Sequence, residues 1–118
     1  MSVLDWLKGK PKEDKETAPP PPPVDIPAEE LAALTVAHYI VDLRDLSEFR
    51  KGHLKGAHQL SYMELSKRTH ELPIDRLIIT VDQSARRGRQ AAKLLRSYGF
   101  EARNLKGGVG SWTEKLVK

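Results

Sequence analysis

The chain has no cysteine. That single absence removes disulfides, thiolate metal sites and every thiol nucleophile, while leaving the redox compartment open. Aromatic residues are scarce, at 6%, so there is no ladder of rings on which the bases of a nucleic acid would stack. Long hydrophobic runs are missing too. The longest are a few residues, against the roughly 20 that span a bilayer, and no signal-peptide core follows Met1. A cytoplasmic chain without a transmembrane segment is expected. What is present is ordinary for one globular domain: 118 residues, 39% hydrophobic and 31% charged. The formal charge of +4 permits contact with nucleic acid, anionic lipid or acidic proteins and requires none of them.

Composition divides the chain. Residues 1–23 combine a small apolar cluster (Val3, Leu4, Trp6, Leu7), a run of mixed charge and five consecutive prolines, residues 19–23. Such a segment cannot bury enough apolar surface to offset its ordering entropy, so a disordered tail with a locally stiff polyproline II spacer is expected. The apolar cluster is too short to hold a helix by itself and would need something to dock on. Pro19 with Pro22 also satisfies the weak PxxP ligand pattern.

Residues 24–118 read as the folded domain. Residues 24–26 suit a short edge strand, and PAEELAAL a helix with Pro27 beside its start and acids in its first turn. The apolar runs HYIVDLR and LIITV predict buried strands, with a helical turn over residues 45–51 closed by Gly52. A short strand ending at Leu60, a helix over residues 62–69, a strand over 103–105 and a closing helix over 109–117 complete the pattern. That last helix is expected to pack Trp112 and Leu116 on the core. Strands alternating with helices predict an α/β domain, its central sheet mostly parallel with helices on both faces.

The stretch RLIITVDQSARRGRQAAKLLRSYGF organises the rest. A buried strand ends at Asp82. A polar loop follows, Asp82, Gln83, Ser84, Ala85, Arg86 and Arg87, and then Ala91, Leu94, Leu95 and Tyr98 recur on one face of a helix stopped by Gly99. A loop that feeds a helix N-terminus is predisposed to hold an anion, because the first N–H groups have no partner within the helix. Candidate chemistry therefore belongs in residues 82–87.

Two further stretches carry a resemblance. IVDLRDLSEFRKGHLKGAHQL resembles the rhodanese-family sequence of a D-x-R strand, a following E-F and a glycine-rich turn, matched by Asp42, Arg44, Glu48, Phe49, Gly52, His53, Gly56 and Ala57. YGFEARNLKGGVGSW is similar to that family's ending, through Gly99, Phe100, Leu105, Gly107, Gly108 and Trp112. The resemblance implies a single rhodanese-like α/β domain over residues 24–118. It puts Asp82 where an active member carries its catalytic cysteine, in a loop of the form C-x-x-G-x-R, with Arg87 matching the terminal arginine. Ala85 stands in place of the glycine, so its Cβ is expected to strain the loop. Sulfur transfer in the family runs through a persulfide on that cysteine, which a carboxylate cannot form. No catalytic residue and no cofactor are then expected. Asp42, Arg44, Glu48, His53, Gly56, Gly107, Gly108 and Trp112 become structural members of the motif.

Four readings follow. The first is a catalytically inactive rhodanese-homology module, a monomer, that binds an unknown protein partner through its tail or its loop. In it the Asp82 carboxylate acts as a built-in anion that fills the cradle formed by the loop N–H groups. The second makes Asp82 a phosphoryl acceptor; the chain lacks the further strand and helix units of a receiver, and Ser84 stands where an aspartate phosphatase needs a second Asp. Residual sulfurtransferase-related activity is the third. Nucleic-acid binding through Arg86, Arg87, Arg89, Lys93 and Arg96 is the fourth, against a solvated helix face as the plainer expectation. His38, His53, His58 and His70 fit no ligand spacing, so no metal site is expected.

Overall fold

The computed structural model describes residues 19–118. The apolar cluster of Val3, Leu4, Trp6 and Leu7, and with it most of the tail expected to be disordered, lies outside the described residues. The elements run β1 (Asp25–Ile26), α1 (Ala28–Ala32), β2 (His38–Asp42), α2 (Leu46–Lys51), β3 (His58–Gln59), 3₁₀ turns at Tyr62–Lys67 and Thr69–Glu71, β4 (Leu77–Val81), α3 (Ala85–Ser97), β5 (Ala102–Leu105) and a 3₁₀ turn at Val109–Ser111. The five strands form one sheet, all pairs parallel, in the order β1-β5-β4-β2-β3. β4 is the central strand.

Alternation along β4 decides what each face buries. Ile78 joins Val41, Leu43, Ala102 and the α3 residues Ala91, Ala92 and Leu95 on one face. Ile79 and Val81 join Ile26, Leu31, Ile40, Leu54 and Leu105 on the other, beneath α1. Each such isoleucine, leucine or valine, fully removed from water, contributes about 1.5 to 3 kcal/mol. With both faces covered, β4 reads as a nearly unbroken apolar run, and the chain ends of β2, β3 and β4 all open toward the same side.

Four local expectations change. The helix over residues 109–117 does not form. Three glycines within residues 107–110 weaken it, so the chain makes one 3₁₀ turn, and Val117 instead bridges antiparallel to His53 through two 2.8 Å hydrogen bonds. Trp112 still packs half-buried on the second cluster, while Leu116 stays exposed. The 62–69 helix is two 3₁₀ turns. Helix α3 starts at Ala85, two residues before the expected Arg87, because Ser84 takes the extended N-cap conformation and Ala is the best helix former. Finally, its buried stripe is Gly88, Ala91, Ala92 and Leu95. Tyr98, expected in the core, is the exposed C-cap, followed by Gly99 at φ 92 and by N–H bonds from Gly99 to Arg96 O and from Phe100 to Leu95 O, each 3.0 Å. That is a Schellman closure, which turns the chain into β5.

The domain also reaches back into the proline run. Arg96 Nη2 donates to Pro22 O at 2.7 Å, and Arg103 Nε donates to Pro23 O at 2.9 Å. Two residues assigned to the tail are thereby tied down as a strap beside β5.

Candidate functional site

Asp82 ends the central strand and is 1% exposed. Parallel strands deliver their C-terminal ends to one rim, so the residue that leaves β4 there is positioned by the most rigid part of the fold. Both carboxylate oxygens are engaged. Oδ1 accepts from the Gln83 N–H at 2.7 Å and from Arg87 Nη2 at 3.2 Å, and Oδ2 accepts from Arg87 Nε at 2.8 Å. The carboxylate raises the pKa of Arg87 above the ordinary guanidinium value, chiefly through those hydrogen bonds. Arg87 itself is half-exposed, with its guanidinium 5.2 Å from the centroid of the Tyr62 ring. Tyr62 in turn donates its hydroxyl to Gln90 at 3.1 Å.

The anion is therefore held by one backbone N–H and one bidentate arginine rather than by a ring of loop N–H groups. The loop is only Asp82, Gln83 and Ser84, since Ala85 and Arg86 already belong to α3. No strain appears at Ala85: among the described residues every non-glycine φ is negative. Behind the loop lies Gly108, at φ 72, where a Cβ would come within 2.6 Å of the carbonyl oxygens of both Asp82 and Gln83. Only glycine lets this backbone approach so closely. The next residue, Val109, donates its N–H to Asp82 O at 2.9 Å. Gly107 at φ 81 starts the same turn, and Gly56 at φ 84 shapes the turn before β3.

Asp42 and Arg44 form a second buried pair beside the loop. Asp42 accepts from the Arg44 N–H at 3.0 Å, from Nε at 3.0 and 3.2 Å and from Nη2 at 2.8 Å. Nη2 also donates to Gly52 O at 2.8 Å, and Gln59 donates to Arg44 O at 2.8 Å. The pair thus ties the end of β2 to α2 and β3. Arg44, Glu48, Lys51, Gly52, Gln83 and Leu116 line a shallow depression of about 280 Å³ at the rim. His53 stands behind it. Its ring stacks on Phe49 with centroids 3.7 Å apart and Nδ1 donates to Phe49 O at 2.8 Å, closing α2.

The other histidines are scattered. His38 bonds Val36 O, His58 stacks on Tyr39, and His70 is exposed beside Glu71. Among the described residues no three His, Asp or Glu side chains converge as a metal would require. The basic face of α3 is not simply solvated either. Arg87 pairs with Asp82, Arg89 pairs with Asp25 at 3.0 Å, and Arg96 spans Ala102 O and Pro22 O. Three of the five cations considered for nucleic acid are spent inside the domain.

Sequence reasoning missed the residues that seat α3. Thr80 and Asn104 are fully buried polar groups facing Gly88, and Asp25 links Asn104 to Arg89. One signal was available: a glycine inside a helix costs about 1 kcal/mol against alanine and so marks a close approach. A Cβ on Gly88 would collide with Asn104 Oδ1.

Arg89 also gives Asp25 a pH dependence. Its hydrogen bonds hold the Asp25 pKa below the ordinary carboxylate value, with Asn104 adding to them against partial desolvation. A folded-state pKa below the unfolded one means stability that is present above the unfolded value and is lost as pH falls through the folded value. Asp25→Asn should therefore be less stable at neutral pH and lose less stability between about pH 5 and pH 2. Urea midpoints across that range measure it; parallel acid limbs in the two proteins would contradict it.

The comparisons with known proteins agree with this geometry. The family model described as the rhodanese-like domain matches residues 27–115. The chain belongs to the rhodanese-like family. Over 78 residues this rhodanese-like chain is 35% identical to the uncharacterized protein YqhL of Bacillus subtilis, covering 65% of the chain and 62% of YqhL. It thus spans less than two thirds of that relative. It is 33% identical over 76 residues to the thiosulfate sulfurtransferase GlpE of Shewanella oneidensis, covering 64% of the chain and 75% of GlpE. The crystal structure of a rhodanese-related protein from Thermoplasma volcanium shares the fold, with a TM-score of 0.74 at 22% identity over 79% of this chain and 96% of that one. The rhodanese-like domain here has no cysteine at any position. Among the described residues, no helix is long and apolar enough to cross a membrane.

Proposed function

We propose that this chain is a rhodanese-fold binding module that transfers no sulfur. One observation carries the reading: the position matching the nucleophile holds a carboxylate, 1% exposed, whose two oxygens are already paired with Arg87 and the Gln83 N–H. A persulfide needs a thiolate, and no other position in the chain supplies one. Purified protein should show no thiosulfate:cyanide sulfurtransferase turnover above the uncatalysed rate. Thiocyanate formation that scales with protein concentration would overturn this.

The same pairing speaks against the phosphoryl-acceptor reading, since an acceptor oxygen must be free to attack. Incubation with acetyl phosphate and magnesium should leave Asp82 unmodified. What the rim offers instead is surface. Gln83, Ser84 and Arg86 are exposed, and so are Leu46 and Met63, which follow the ends of β2 and β3 on the same side of the sheet as the loop. Apolar side chains beside a rigid polar loop suit a protein partner better than a small substrate. In this reading the module is a cytoplasmic monomer, and Met63→Glu combined with Arg86→Glu should abolish capture of that partner while leaving the fold intact.

A further inference from the structure

We infer that the strap carrying Asp25 and the loop carrying Asp82 are the two ends of one continuous route of hydrogen bonds, helix backbone and packed contacts, so that the seating of the strap sets the geometry of the loop. The inference does not depend on what the loop binds. At the outer end the strap is fastened by Arg96 and Arg103 to Pro22 O and Pro23 O, and by backbone bonds from Asn104 N to Val24 O at 2.6 Å and from Lys106 N to Ile26 O at 3.0 Å. From it the Asp25 carboxylate points inward. It accepts from Arg89 Nε at 3.2 Å, from Arg89 Nη2 at 3.0 Å and from Asn104 Nδ2 at 3.2 Å.

The next links are buried. Thr80 lies on the central strand with its hydroxyl 2.7 Å from Gly88 O, 3.3 Å from Asn104 Oδ1 and 3.4 Å from Arg103 O. A hydroxyl has one proton for those three acceptors, and the shortest contact assigns it to Gly88. Asn104 Oδ1 also packs against Gly88 so tightly that no side chain fits there, and Asp82 Cβ is 3.7 Å from the same spot. Gly88 is flanked in sequence by Arg87, which holds Asp82, and by Arg89, which holds Asp25. The first turn of α3 is thus braced between two carboxylates, one from the loop and one from the strap, over a floor of Thr80 and Asn104.

If Asp25 withdraws, Arg89 loses its only side-chain acceptor among the described residues and Asn104 loses the bond that fixes its amide. The helix turn then shifts over its floor and carries Arg87 with it. Anything that binds or pulls the residues ahead of Pro22 would act on the loop through this route. Linkage requires the converse: what binds the loop must act equally on the strap.

The test uses the full chain and nuclear magnetic resonance. Loop geometry is read from the Arg87 Nε–H resonance and from hydrogen exchange at the Gln83 and Val109 amides, all three bonded to Asp82. Asp25→Asn should move the Arg87 resonance and speed exchange at both amides several-fold. Thr80→Val, which cuts the middle link and leaves the strap contacts in place, should do the same. Glu71→Gln is the control, because it weakens the 2.7 Å pair with Arg68, which touches neither the strap nor the floor nor the loop, and it should leave all three signals unchanged. Wild-type signals in Asp25→Asn would overturn the inference. So would equal changes in Asp25→Asn and Glu71→Gln, which would show general loosening rather than a specific route.

Discussion

Asp42→Ala should lower the thermal midpoint by more than about 10 °C, the largest loss expected from any single side chain at the rim. Asp42 is fully buried and Arg44 is 5% exposed. Taking two charges out of water is expensive, and here the cost is offset by two side-chain nitrogens and one backbone N–H directed at one carboxylate. Removing the aspartate leaves the guanidinium with Gly52 O as its remaining acceptor and orphans the Arg44 N–H. Breaking a buried pair from one side in this way costs about 3 to 5 kcal/mol. For a domain of this size each kcal/mol moves the midpoint by about 4 °C or more. The loss should be one of stability and not of a particular affinity, since Asp42 points into the fold. Replacing both partners, Asp42→Val with Arg44→Met, should cost less than Asp42→Ala alone, because no buried charge is then left unpaired. An Asp42→Ala protein with the wild-type midpoint would show that the pair is not what holds β2, α2 and β3 together.

The two central strands and the long helix were legible because their signals are local. An apolar run with a polar end is enough to place β2 and β4, and Gly99 is enough to stop α3. The edge strands β1 and β3 were found from position in the pattern although each has two residues. What failed depended on competition between weak local preferences, as in the closing segment, where a turn and a bridge to His53 replaced a helix. The candidate site was legible in its central residue and not in its support. Asp82 and Arg87 are five positions apart and could be paired on paper. Arg89 and Asp25 are 64 apart, Asn104 and Asp25 are 79 apart, and nothing in either neighbourhood announces the other. A stripe of arginines therefore reads as a solvated or nucleic-acid-binding face until the sheet brings carboxylates and carbonyls up to it.

Asp82→Asn should destabilise the domain by about 1 to 3 kcal/mol and at the same time create affinity for small oxyanions. The wild-type carboxylate accepts three N–H bonds, from Gln83 N, Arg87 Nε and Arg87 Nη2. An asparagine at the same place has one oxygen for those donors, and its amide group turns further N–H bonds toward them. At least one donor is left facing another donor in a site with almost no access to water. Arg87 is half-exposed and can swing out over Tyr62 toward solvent, so the loss stays smaller than for Asp42. Swinging out also removes the charge that neutralised it. The N-terminus of α3 then carries Arg86 and Arg87 with no internal anion, and its unpaired N–H groups add the positive end of the helix dipole. Sulfate or phosphate titrated into the variant should stabilise it against urea and shift the Ser84, Ala85 and Arg86 amides, while the wild-type protein, its anion built in, should respond weakly. Equal responses from the two proteins would mean that Asp82 leaves the cradle open and that its pairing with Arg87 is a surface contact without consequence for what the rim can bind.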